Sequence, residues 1–157
     1  MRITLLTVGR TVDKNIIAGI NDYTQRIGHF AQFNIDTIPE LKNAKKMSEA
    51  QQKEAEGELI LKSLQTGDRI VLLDEGGKEF RSAEFAAWIE HKQNISIKRL
   101  VFIVGGPYGF SPKIYETAHE KVSLSKMTFS HQMIRLLFVE QLYRAYTIIN
   151  HLPYHHE

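Results

Sequence analysis

Two runs of this chain restrict its fold more than any other feature. Ile70-Val71-Leu72-Leu73, after Arg69, and Leu100-Val101-Phe102-Ile103-Val104, after Arg99, are apolar without interruption. A strand with one face in water alternates apolar and polar side chains, so an unbroken run marks a strand covered on both faces. Strands of that kind build parallel sheets, whose neighbours are joined by crossovers that usually contain a helix. The remaining chain supplies the parts. Residues 2–8 read as a first strand, and Asp13 caps a helix that carries Ile16, Ile17, Ile20, Tyr23 and Ile27 at near-helical spacing. Phe33, Ile35 and Ile38 form a short second strand ended by Pro39.

The polar run from Leu41 to Lys46 reads as a surface loop, either a solvated connection or a set of lysines available to a polyanion. Ser48 and Gln51 have capping-box spacing for a helix to Leu64, with Gly67 as a left-handed stop. Residues 74–78 read as a loop, Ser82 as the cap of a helix through Trp88 and His91, and Ser111-Pro112 as the cap and first residue of another. Val122-Ser123-Leu124 is the expected fifth strand, and residues from about His131 to Asn150 one long helix. The sum is an α/β chain, a single domain over residues 1–157, with a mainly parallel sheet and helices on both faces.

Composition narrows the chemistry. With no cysteine, the chain has no disulfide, thiolate nucleophile or iron–sulfur site, which fits a reducing, cytoplasmic setting. No stretch approaches the roughly 20 apolar residues of a bilayer span, and the N-terminus lacks a signal-peptide pattern. A formal charge of +2 neither demands nor excludes a polyanion. Five of the seven histidines, His119, His131, His151, His155 and His156, fall in the last 39 residues. With Glu157 they offer no spacing for a three-ligand metal site, and no metal is expected. The last helix carries apolar residues round nearly its whole circumference, so it must be covered on both sides, which points to a homodimer.

In open parallel sheets ligands bind beyond the C-terminal ends of the strands, here the loops at 74–78, 105–110 and 125–130. Gly105, Gly106 and Gly109 suit a ligand held by main-chain hydrogen bonds, or simply a tight strand-to-helix turn. Their spacing is neither the dinucleotide fingerprint nor a phosphate loop, and no nucleophile elbow is present. His131 with Arg135, and Glu140 with Arg144, stand four apart, which would set each pair on one helical face.

Four segments in order carry a resemblance: Gly105-Gly106-Pro107-Tyr108-Gly109, Leu124-Ser125-Lys126-Met127-Thr128-Phe129-Ser130-His131, Glu140-Gln141-Leu142-Tyr143-Arg144-Ala145 and Pro153-Tyr154-His155-His156-Glu157. Together they resemble the RlmH (YbeA) family of SPOUT-class RNA methyltransferases, nearly end to end. The resemblance implies a C-terminal trefoil knot, a homodimer, and methyl transfer from S-adenosyl-L-methionine to N3 of a pseudouridine in 23S ribosomal RNA. The partner would be the assembled ribosome, with no part for DNA.

By position, the resemblance puts the cofactor against Leu73, Gly105, Gly106 and the segment Leu124, Ser125, Lys126, Met127, Thr128 and Phe129. RNA-binding and catalytic roles fall on His131, Arg144, Tyr154 and His155, with the tail of one subunit reaching the cofactor of the other. His155 is the first candidate for the base that takes the N3 proton and His131 the second, and either would otherwise orient the ring. Arg144 would contact phosphate or stabilise charge near the reacting base. Where relatives often place arginine or lysine in the tail, this chain has His156. Two other readings fit the fold: a non-catalytic nucleotide-binding sensor and a structural ribosome-assembly factor.

Overall fold

The computed structural model describes residues 1–157. Strands β1 (Arg2–Val8), β2 (Gln32–Ile38), β3 (Arg69–Glu79), β4 (Arg99–Val104) and β5 (Glu120–Ser123) alternate with helices α1 (Lys14–Ile27), α2 (Glu49–Ser63), α3 (Ser82–Asn94), α4 (Pro112–Thr117) and α5 (Met133–Ile149). The five strands form one sheet in the order β2-β1-β4-β3-β5, parallel throughout. All C-terminal strand ends therefore share one edge. In register, Thr7 faces both Thr37 and Val104, and Leu73 faces Val104 on its other side.

The two apolar runs occupy the centre, and every residue of β4 is buried, Arg99 included. One face of the sheet is covered by α1, α3 and α5 around Leu5, Val71, Phe102 and Phe138. The other is covered by α2 and α4 around Leu72, Ile103, Ile60 and Ile114. Local signals account for the helix starts. Asp13 accepts from the backbone N–H groups of Asn15 and Ile16, Ser48 and Gln51 close a capping box, and Ser111 accepts from the N–H of Ile114. Each satisfies donors that the first helical turn leaves free.

Several expectations change. Residues 74–78 belong to β3, because Lys78 and Glu79 pair with Val122 and Ser123 after a shift in register at Leu73. The chain wraps round β5 there so closely that a Cβ on Gly77 would stand 2.6 Å from the Lys121 and Val122 backbone. β5 ends at Ser123, leaving Leu124 to the following loop. Ser82 is the first helical residue of α3 rather than its cap, and Glu84 reaches back to the N–H of Arg81. Gly67 does take a positive φ of 88°, but α2 has already stopped at Ser63. His131 precedes α5, so it shares no helical face with Arg135.

α5 lies between α1 and α3, with Phe138, Val139, Leu142, Ala145 and Tyr146 buried and the Phe138 ring tilted against Phe102 at 4.6 Å between ring centroids. Leu136, Ile148 and Ile149 pack half-buried against the same core cluster, while Leu137 stays half-buried outside it and Met133 is exposed. Its first turn is tied to the sheet by Arg135, 1% exposed, which donates to the carbonyls of Val8 at 2.8 Å and Gly9 at 2.9 Å and to Thr11 Oγ1 at 3.0 Å. Burial pushes the guanidinium pKa down, against the pull of Glu40.

Replacing Arg135 strands two buried carbonyls, so Arg135→Met is expected to lower the unfolding free energy by about 3 kcal/mol in urea denaturation. Tyr146 differs: its hydroxyl is buried without a partner. Burial pushes this phenol up to about 12, against about 10 in the unfolded chain. The unfolded chain then loses its proton first, so this contribution to stability is complete below about pH 10 and disappears as pH rises toward about 12. Tyr146→Phe should fold at least as stably at neutral pH and show a flatter alkaline loss in pH-dependent urea titrations.

Candidate functional site

An open cleft of about 720 Å³ lies beyond the C-terminal ends of β3, β4 and β5. Leu73, Gly105, Gly106, Leu124, Ser125, Met127, Thr128 and Phe129 line it, as does His131. Lys126 does not: its side chain is 84% exposed and stands 3.8 Å from Glu79. The wall from Leu124 to Ser130 is shaped by short polar contacts. Ser123 Oγ donates to the carbonyl of Ser125, Ser125 Oγ accepts from the N–H of Met127, and Thr128 Oγ1 donates to Glu75 across the cleft.

The opposite wall is the glycine loop. The N–H of Gly109, a residue with φ of 82°, donates to the carbonyl of Gly106 at 3.1 Å. Behind Gly106 lies Glu56 of α2, so close that a Cβ on that glycine would sit 2.5 Å from Glu56 Oε2. Glu56 is 5% exposed, and burial raises its pKa, opposed by a hydrogen bond from Gln52 and by the proximity of His131. Tyr115 Oη donates to Asp74 Oδ2 at 2.5 Å, and its pKa is raised to about 12, first by burial and then by Asp74. Neither Glu56 nor Tyr115 stood out in the sequence. Glu56 lies in an acidic, outwardly ordinary helix, and Tyr115 is set against Asp74 only by the meeting of α4 with the end of β3.

A second cluster gathers where α5 meets the tail. Glu140 accepts from Arg144 through both oxygens and from Tyr154 Oη at 3.0 Å. Tyr154 Oη also meets Tyr23 Oη of α1 at 3.3 Å, and the Arg144 guanidinium lies 4.8 Å from the Tyr154 ring centre. Glu140 holds the Arg144 guanidinium firmly charged, while burial, Tyr23 and Glu140 push the Tyr154 phenol up.

Arg144 Nη1 lies 3.2 Å from His155 Nδ1. A guanidinium only donates, so Nδ1 accepts and the neutral ring carries its proton on Nε2. That Nε2 is buried without a hydrogen-bond partner, Glu157 standing 3.6 Å away. The structure thus brings Arg144, Tyr154 and His155 together but leaves His131 with the cleft. From the first turn of α5 to Arg144 the helix rises about 1.5 Å per residue over 11 residues, or about 16 Å.

Residues 1–155 match the family described as "Predicted SPOUT methyltransferase". The chain belongs to the SPOUT methyltransferase family. It is 69% identical to a protein of Phocaeicola vulgatus named "Ribosomal RNA large subunit methyltransferase H", with both chains covered completely. Proteins of that name from Bacteroides thetaiotaomicron and Flavobacterium johnsoniae are 65% and 52% identical, again over the full length of both.

Membership in a SPOUT methyltransferase family implies a methyl donor of the S-adenosylmethionine type. The cleft suits one. Backbone groups of the glycine loop and of residues 124–130 can meet a nucleoside's polar edges, and Leu73, Leu124 and Phe129 give apolar walls. Asp74 and Glu75 also line it, and carboxylates there favour a cationic ligand. No group of histidine and acidic side chains is placed to hold a metal ion.

Glu140 is the anchor of the tail. Glu140→Ala is expected to expose residues 151–157 to carboxypeptidase and to speed their amide exchange, while global stability falls by only about 1–2 kcal/mol.

Proposed function

We propose that this chain transfers a methyl group from S-adenosyl-L-methionine to N3 of a pseudouridine in 23S ribosomal RNA of the large ribosomal subunit. It does so as a cytoplasmic homodimer in which the tail of one subunit completes the cleft of the other. Identity over full length with relatives named for the large-subunit RNA supports the substrate. One observation carries the dimer: in a single chain the cleft and the Arg144–Tyr154–His155 cluster are separated along α5, whose face away from the core carries the exposed Met133 and the half-buried Leu137. A second copy laid against that face would cover both residues and bring its own tail to the cleft.

When bound, S-adenosylmethionine supplies an already activated sulfonium methyl. The protein's task is to align N3 with that carbon and to take the N3 proton as the new N–C bond forms. Leu73, the glycine loop and residues 124–129 would fix the donor, Lys126 through its main chain alone. With its Nδ1 lone pair taken by Arg144, His155 has only the Nε2 N–H left, buried in the single chain; once the tail meets a partner's cleft, that group suits holding a uracil carbonyl better than accepting a proton. His131, in the cleft wall, is the histidine this arrangement leaves free to receive one. Arg144 and Tyr154 position His155, and the Arg144 charge offsets negative charge that develops on the imide.

The trefoil knot belongs to the same reading. It is supported by the wrap of residues 74–79 round β5 and by the position of α5 between α1 and α3.

The test is transfer of labelled methyl from S-adenosylmethionine to ribosomes that lack the modification, with the product located by mass spectrometry of ribosomal RNA digests. Wild type should give a methylated pseudouridine, and His155→Ala should lose most of the rate while still binding cofactor. A dimer that binds cofactor and transfers nothing to large subunits would overturn the assignment.

A further inference from the structure

The edge of the sheet that carries the cleft is mixed in charge on the cleft side, where Lys121 lies over the Tyr115 ring and Lys126 faces Glu79, and carries unpaired cations beyond it. On one side, Asp74 and Glu75 stand at the cleft, with Glu79 beyond them facing Lys126. On the other, the loops after β1 and β2 present Arg10, Lys42, Lys45 and Lys46, all exposed, and none of them forms an ion pair. The acidic neighbour Glu40 forms no ion pair with them; its carboxylate is turned to Gly9 and acts on the buried Arg135. Glu49, on the first turn of α2, is the next acidic residue.

The lysine loop has a defined backbone. Asn43 takes a φ of 64°, and the N–H groups of Lys46 and Met47 donate to the carbonyls of Asn43 and Ala44, closing a 3-10 turn over Ala44–Lys46. Ile38 lies two strand positions from the end of β4 and three from β3. At about 4.8 Å per strand the basic loops begin about 10–14 Å from the cleft.

We propose that Arg10, Lys42, Lys45 and Lys46 form a docking surface for the phosphate backbone of the large-subunit RNA that flanks the target nucleotide. The inference rests on the reading of the cleft as the methyl-transfer site. Carboxylates at the cleft edge repel phosphates and favour a cationic donor, while the unpaired cations beside it attract the polyanion, so the field orients the RNA across the edge in one direction. The chain's small net charge does not oppose this, because the asymmetry is local.

The experiment measures equilibrium binding of fluorescently labelled full-length protein to large ribosomal subunits over a salt series. A Lys42→Ala/Lys45→Ala/Lys46→Ala variant is compared with an Arg2→Ala/Lys62→Ala/Lys98→Ala control. The control removes the same charge from exposed positions at the opposite edge.

The loop variant should bind at least about tenfold more weakly, with a log–log salt slope reduced by about two, while the control stays near wild type. Lys→Arg replacement at the three loop positions should restore binding. A photocrosslinker at residue 45 should label RNA. Equal losses in both variants, an unchanged slope in the loop variant, or a crosslink to ribosomal protein instead of RNA would each overturn the proposal. Methyl transfer is read separately. If it occurs, the loop variant should raise KM for ribosomes and leave kcat unchanged; if wild type binds through this surface and transfers nothing, it is the enzymatic reading that fails.

Discussion

The seating of α5 against the middle of the sheet is the contact on which the rest depends. Phe138 meets Phe102 at the centre of β4, and Arg135 one turn earlier ties the same helix to the end of β1. The helix thereby fixes two chemically different places at once. Its N-terminal approach, from Ser130 to Ile134, forms part of the cleft wall, and its later turns carry Glu140 and Arg144, which hold the tail. A shift of this helix would disturb both.

The tail has no secondary structure of its own beyond turns, and its order comes from polar contacts. Tyr154 packs edge-on against Tyr143 with centroids 4.8 Å apart, and its hydroxyl joins Glu140 and Tyr23. Contacts of this kind are strong when water is kept out and weak when it enters. A tail held so can be positioned in the folded protein and still be rearranged by a ligand that offers better partners.

Much of the architecture was legible because burial and spacing speak directly. The runs before Leu73 and Val104 announced covered strands, and Asp13, Ser48 and Ser111 marked helix starts by chemistry that acts over three residues. What was not legible depends on distant pairing. Gly76-Gly77-Lys78 has the composition of a turn, yet β5 recruits it into the sheet, and no local pattern encodes that partner. The same applies to His131, whose spacing from Arg135 suggested a shared helix face that the late start of α5 removes. Eight of the nine cofactor positions carried over by resemblance do line one cleft; Lys126 alone does not. Glu56 and Tyr115, drawn to that cleft from α2 and α4, gave no sign of it in their own neighbourhoods.

The chain order of the core has a consequence for biogenesis. Synthesis is vectorial, so all five strands and four helices are made before residues 133–149 emerge. Until then Phe102, Val71 and Leu5 lack the helix that sits over the middle of their face. The nascent chain therefore carries an open apolar surface late into translation. Transiently exposed apolar surface of this kind is prone to aggregation, so the docking of α5 is the step that closes it.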